Sequence, residues 1–140
     1  MLTHRVIRCA VGIFLFTGCA TPSLVDRSVR VHDIHISGPA LLSSVEVYAA
    51  VGDEIRWHNQ LTAPIYLGFL GVSPIKEVGC GKGFTTWYGT IKDLVTIRAG
   101  EYVSACFSRA GTLRYNIWTN LADPVRTMSP MAVLYLEKAG

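Results

Sequence analysis

The chain has 140 residues, of which 50% are hydrophobic and 16% charged, with a formal net charge of +3. That composition supplies one packed domain and excludes a disordered or low-complexity chain. Arg5 and Arg8 carry two of the positive charges; the rest of the chain has 11 Lys and Arg against 10 Asp and Glu, which excludes the clustered basic surface of a nucleic-acid binder.

The first segment reads as an export signal. His4, Arg5 and Arg8 make a basic start, Cys9 to Phe16 is an apolar run, and Thr17-Gly18 is a small-residue pair. The run is shorter than the roughly 20 apolar residues that span a bilayer. Phe16-Thr17-Gly18-Cys19 resembles the lipobox of bacterial lipoproteins, with Phe where Leu is commonest. The resemblance implies a signal peptide at 1–18, acylation of Cys19, a short tether at 19–27 and a mature chain of 122 residues. Ala20 after the cysteine, rather than Asp, resembles the pattern sent to the outer membrane, facing the periplasm. An ordinary signal peptide with an incidental cysteine is the competing reading. Of four cysteines, Cys9 leaves with the signal and Cys19 takes the lipid, so Cys80 and Cys106 remain. In an oxidising compartment an even pair is expected to form a disulfide. Thiolate metal ligation is the alternative, without a Cys-x-x-Cys or Cys-x-x-His spacing to support it.

Residues 28–140 read as one domain of strands and turns, with no window that sustains a helical period. Val29 to Ile36 is rich in β-branched residues, with a phase slip at His32-Asp33 that suggests a bulge. Val45 to Tyr48 alternates, Gly52-Asp53 is a turn, and Glu54 to His58 alternates again with Ile55 and Trp57 on one face. Ile65 to Leu70 is an apolar run short enough for a buried strand. Gly71 to Gly83 carries four glycines and Pro74 and reads as a long loop around Cys80, which the disulfide would pin to the domain. Strands are expected again at Leu94 to Arg98, Tyr102 to Phe107, Thr112 to Trp118 and Met131 to Leu136. Arg109-Ala110-Gly111 suits a hairpin between two of them.

Three of these segments, in order, resemble the cupredoxin family. Val51-Gly-Asp-Glu-Ile-Arg-Trp-His-Asn59 resembles its Gly-Asp-x-Val-x-Trp-x-Asn segment. Val95 to Gly100 with Tyr102 to Phe107 resembles its turn and following strand, and Gly111-Thr-Leu-Arg-Tyr115 the Gly-x-Tyr-x-Tyr strand that leads into the copper loop. The resemblance covers residues 45–137 and implies an all-β, cupredoxin-like antiparallel Greek-key β-sandwich.

The same resemblance locates where a copper site would stand, and its donors are missing. A blue-copper site needs two imidazoles, a thiolate and a weak axial thioether. The first imidazole position is filled by Ile65 or Tyr66, and Asn116-Ile117-Trp118-Thr119-Asn120 stands where the thiolate and second imidazole would, so that Ile117 and Asn120 are found there and no Cys or His. Met128 or Met131 could stand in for the axial ligand, and Met128-Ser-Pro-Met131 has a spacing that soft Cu(I) favours, although such methionines also serve as packing. His58 follows Trp57 and is expected to point away from the core, while His32 and His35, three apart, are expected on opposite faces of a strand unless the bulge rotates one.

No Gly-x-Ser-x-Gly elbow occurs, and Gly79-Cys-Gly-Lys-Gly83 lacks Walker spacing, so no catalytic residue is assigned. Phe84, Trp87 and Tyr88 form an aromatic cluster with two readings, a partner-binding patch or core filling. The expectation is an exported, lipid-anchored, non-enzymatic binding or accessory module with no cofactor and a periplasmic protein partner. The alternative is a copper-binding electron carrier or metallochaperone with a non-standard site.

Overall fold

Among the described residues, alternation of apolar and polar side chains becomes ten strands whose inward side chains meet between two sheets. The computed structural model describes residues 28–70, 78–84 and 93–138. The signal segment, Cys19, the tether through residue 27, Trp87 and Tyr88 lie outside the described residues. The strands are β1 (Val31–Gly38), β2 (Leu41–Leu42), β3 (Glu46–Ala50), β4 (Glu54–Asn59), β5 (Ile65–Leu70), β6 (Val78–Lys82), β7 (Leu94–Ile97), β8 (Tyr102–Phe107), β9 (Gly111–Trp118) and β10 (Ala132–Glu137). One sheet runs β2-β1-β4-β8-β6 and the other β3-β10-β9-β5-β7.

In β4 the period of two puts Ile55, Trp57 and Asn59 inside, with Glu54, Arg56 and His58 outside. Trp57, Tyr115, Phe84, Ile34, Ile55, Ile65, Leu67, Ile117 and Leu134 are among the largest fully buried side chains. Each such burial stabilises the fold by roughly 1.5–3 kcal/mol before the entropy of ordering is subtracted. Trp57 lies edge-on to Tyr115 and Phe84, both with centroids 5.7 Å away, and to Phe69 at 6.1 Å. Gly52 turns the chain from β3 to β4 at φ +89°, a conformation that costs glycine nothing.

Three expectations are corrected. First, the sandwich is mixed rather than antiparallel: β1 pairs with β4, and β3 with β10, in parallel. Hairpins make antiparallel neighbours, but the chain leaves β1's sheet through β3 before returning as β4, and a crossover of that kind yields a parallel pair. Second, no bulge occurs at His32-Asp33, because β1 and β4 stay in register from Val31↔Glu54 to Ile36↔Asn59. The apparent slip arises because the inward set of β1 begins with the polar His32, ahead of Ile34 and Ile36. His32 and His35 therefore do lie on opposite faces. The one register shift of β1 is against β2, between Ile36 and Gly38.

Third, the segment around Cys80 is partly strand. β6 pairs with the free edge of β8, setting Cys80 opposite Cys106. A Cβ on Gly81 would lie 2.6 Å from the Ser104 carbonyl oxygen, so glycine is what lets the two backbones approach. Here glycine permits a strand where its low propensity argues against one.

The two ends of the sandwich differ. Arg30, the β3–β4 turn, Phe107 and Glu137 meet at one end: Glu54 N–H donates to Arg30 (2.9 Å), Val51 N–H to Glu137 (2.8 Å) and Gly52 N–H to Phe107 (3.0 Å). Because the chain enters β1 there, this is the tether end. Asn59, Glu101, Gly100 and the β9–β10 loop form the opposite, distal end.

Candidate functional site

The distal end is where a cupredoxin would hold copper, so its residues are the first test of function. Asn59 closes the end of β4 and is 2% exposed. Its amide donates to the Ala63 carbonyl (2.8 Å) and the Ile97 carbonyl (3.0 Å), and its side-chain oxygen accepts from Leu61 N–H (2.9 Å). One side chain thus fixes the β4–β5 loop against β7. Across the sandwich, Ser129 accepts from Ile117 N–H (2.9 Å), while Asn116 donates to the Ser129 carbonyl (2.8 Å).

Between Asn116 and Ser129 the loop is built on its own polar groups. The Thr127 hydroxyl lies 2.6 Å from the Asn120 carbonyl and 2.8 Å from that of Asp123, to either of which it can donate, and Asn120 Oδ1 accepts from Ala122 N–H at 2.9 Å. Thr119 N–H donates to the Thr127 carbonyl at 3.1 Å. Apolar side chains face solvent on this loop beside the exposed Arg126: Val125 is 85% exposed and Met131 51%, with Met128 at 47% and Leu121 at 41%. The loop is thus an ordered surface on which apolar side chains stand exposed.

The copper positions do not fit the metal. Ile65 and Ile117 are both 0% exposed, packed among Ile97, Leu67 and Leu134, and neither can donate an electron pair. Tyr66 is half-buried opposite Trp118, and Asn120 is exposed and used by the loop. Cys80 and Cys106 are bonded to each other, with Cα atoms 5.2 Å apart, within the range a disulfide spans. Among the described residues no three His, Cys, Asp or Glu side chains form a metal-holding group.

The histidines lie elsewhere. His32 Nε2 is 3.2 Å from Asp53 Oδ2 at the tether end. Asp53 is 3% exposed and also accepts from the N–H groups of Ala50 (2.9 Å) and Arg30 (3.2 Å). On the outer face of the first sheet, His35 stacks on His58 with centroids 4.9 Å apart, and His58 donates to Asp33 (2.7 Å). His58 continues to Tyr102 (5.2 Å), over which the Lys82 ammonium sits at 4.0 Å. This cross-strand row of rings comes from the registers His35↔His58 and His58↔Tyr102, which sequence spacing does not disclose. Beside it Arg56 donates to Glu54 (2.8 Å), which holds that carboxyl below the usual carboxylate range; the Ser104 hydroxyl adds to the effect and burial opposes it.

Of the aromatic candidates, Phe84 is 1% exposed and fills the core, which leaves it no partner to meet. Tyr115, at the family's tyrosine position, is also fully buried. Burial pushes its hydroxyl up to about 12, offset in part by the nearby Trp57 indole N–H. That indole lies outside hydrogen-bonding geometry: neither Tyr115 Oη nor Trp57 Nε1 has a hydrogen-bond partner among the described residues.

No protein-family model and no curated sequence relative matches the chain. Among solved structures it is similar to an oxidized methionine-to-leucine mutant of amicyanin, 18% identical, with a TM-score of 0.50 over 76% of this chain and 81% of that one. A Cu(I) methionine-to-alanine mutant of amicyanin is 16% identical, with a TM-score of 0.50 over 76% and 82%. An oxidized proline-to-glycine mutant of the same protein is 16% identical, with a TM-score of 0.50 over 82% and 88%. Likeness at this identity carries architecture and not chemistry. The chain has a cupredoxin-like β-sandwich fold, and among the described residues no usual blue-copper ligand set is present.

Proposed function

We propose that this chain is an exported lipoprotein, anchored through acylated Cys19 and facing the periplasm from the outer membrane. In this reading its cupredoxin-like domain is a non-catalytic binding or accessory module. The observation that carries the second half is the filling of the copper positions by Ile65 and Ile117, both 0% exposed in an apolar core. Packed isoleucine at those positions adds core burial and offers no donor, and the distal loop is left as an ordered surface with Leu121, Val125, Met128 and Met131 outside. A periplasmic protein is the partner such an apolar surface suits. The Cys80–Cys106 bond agrees with an oxidising compartment.

Three measurements test the proposal. Mass spectrometry of the mature N-terminus is expected to find a diacylglyceryl Cys19; a product that begins elsewhere refutes the anchor. Cross-linking from Val125 and Met131 in native membranes is expected to capture a protein partner that Val125→Asp with Met131→Asp no longer captures. Capture unaffected by those changes refutes the distal loop as the binding surface. Saturable copper binding below micromolar would replace the whole reading with a metal carrier using a non-standard site.

A further inference from the structure

We propose that the tether end of the sandwich is a docking surface for an anionic phospholipid bilayer. The choice of a membrane as occupant rests on the Cys19 anchor proposed above. Arg30 fixes the geometry: its N–H donates to Asp53 Oδ1 (3.2 Å) and its carbonyl accepts from Glu54 (2.9 Å), so the chain leaves the fold at this end. Eight residues, Ala20 to Arg27, lie between Cys19 and Ser28. Fully extended they span at most about 29 Å, close to the length of one eight-residue strand. An anchored Cys19 therefore keeps this end near the lipid headgroups.

The chemistry of that end matches such a surface. Arg30, Arg109 and Lys138 are exposed there. Arg30 and Lys138 share a cleft of about 280 Å³ with His32, Tyr48, Asp53 and Glu137. Neither Arg30 nor Lys138 has an ion-pair partner among the described residues. Asp53 is 3% exposed and bonded to two backbone N–H groups and His32, which leaves Glu137 as the exposed carboxylate of the cleft. Tyr48, 61% exposed and stacked on Tyr135 at 4.7 Å, stands beside these cations. Tyrosine is an amphipathic ring that settles at headgroup level. At the distal end Arg126 faces Asp123 at 3.8 Å, and Arg98 is a second exposed cation. Basic side chains beside an anionic leaflet each add attraction to that of a lipid anchor.

The test uses the chain from Ala20 onward, without lipid, because both sheets, the core and the disulfide lie within residues 31–137. Its partitioning is measured on vesicles of phosphatidylglycerol mixed with phosphatidylcholine, and on phosphatidylcholine alone. Binding is expected to the mixed vesicles, absent from the neutral ones and lost in high salt. Each basic side chain near an anionic leaflet strengthens partitioning about fivefold, so Arg30→Ala with Lys138→Ala is expected to lower it about 25-fold. Arg126→Ala is expected to leave it unchanged, and overlapping melting curves confirm that the variants fold. Equal binding to both vesicle types, binding to neither, or an equal loss from Arg126→Ala overturns the proposal. None of these outcomes bears on acylation of Cys19, since the probe carries no lipid.

Discussion

Removing one oxygen from the centre of this protein is expected to make it more stable, and to remove a weakness in alkali. Tyr115 is 0% exposed, and its hydroxyl has no hydrogen-bond partner among the described residues. A buried, unsatisfied hydroxyl costs about 1–3 kcal/mol, while the ring of Tyr115 keeps its edge contacts with Trp57 and Phe69 when the oxygen is gone. Tyr115→Phe is therefore expected to raise stability at neutral pH by about 1 kcal/mol, after allowance for the small void left behind. The alkaline effect follows from the raised pKa. Burial lifts it from 10.0 to about 12, so between those values the folded protein holds a proton that the unfolded chain has lost. Stability from this group is complete below pH 10 and is lost as pH rises through about 12, by about 2.7 kcal/mol in all. Urea unfolding of both proteins at pH 8, 10 and 12 isolates that term, since the other titrating groups cancel in the difference. A variant less stable by more than about 1 kcal/mol at pH 8 would mean the hydroxyl is bonded. Parallel curves across the alkaline range would mean that Tyr115 is not shielded from water.

Two further perturbations probe the disulfide and the Asn59 clamp. Cys80→Ser and Cys106→Ser each open the crosslink of sequence separation 26, which in the chain-entropy model costs about 3.5 kcal/mol. Denaturant midpoints are expected to fall alike in the two variants, and two free thiols in the unfolded oxidised wild type would contradict the bond. Asn59→Ala removes three hydrogen bonds and leaves the buried Ile97 carbonyl without that donor. It is expected to cost about 2–4 kcal/mol in thermal unfolding, and a loss under about 0.5 kcal/mol would show the clamp to be dispensable.

Where local patterning was strong, the sequence disclosed the architecture. The alternation in Glu54 to Asn59 and the segments around Gly52-Asp53 and Tyr115 were sufficient to place those strands and their inward residues. Cys80 and Cys106 could be paired by elimination. What stayed hidden depends on contacts between distant parts of the chain. β6 is disguised by glycines whose use is close approach to β8. His32 breaks the apolar pattern of β1 because Asp53, 21 residues away, gives it a partner at an inward position. The His35, His58, Tyr102 and Lys82 row exists only once β1, β4, β8 and β6 are set side by side. Phe84 reads as core more readily than as patch, and the fold encloses it. The apolar exposure of the distal loop carries no pattern at all, because it is the remainder after Asn120, Asp123 and Thr127 have satisfied one another.

The central claim is that a cupredoxin-like fold here works without its blue-copper site, and Cu(II) titration of the oxidised mature protein tests it most directly. With isoleucine at positions 65 and 117 and both cysteines of the domain in a disulfide, no thiolate is available to copper. The titration is expected to give no intense visible absorption and no saturable binding below micromolar. A strong blue band that saturates at one copper per chain would contradict the account.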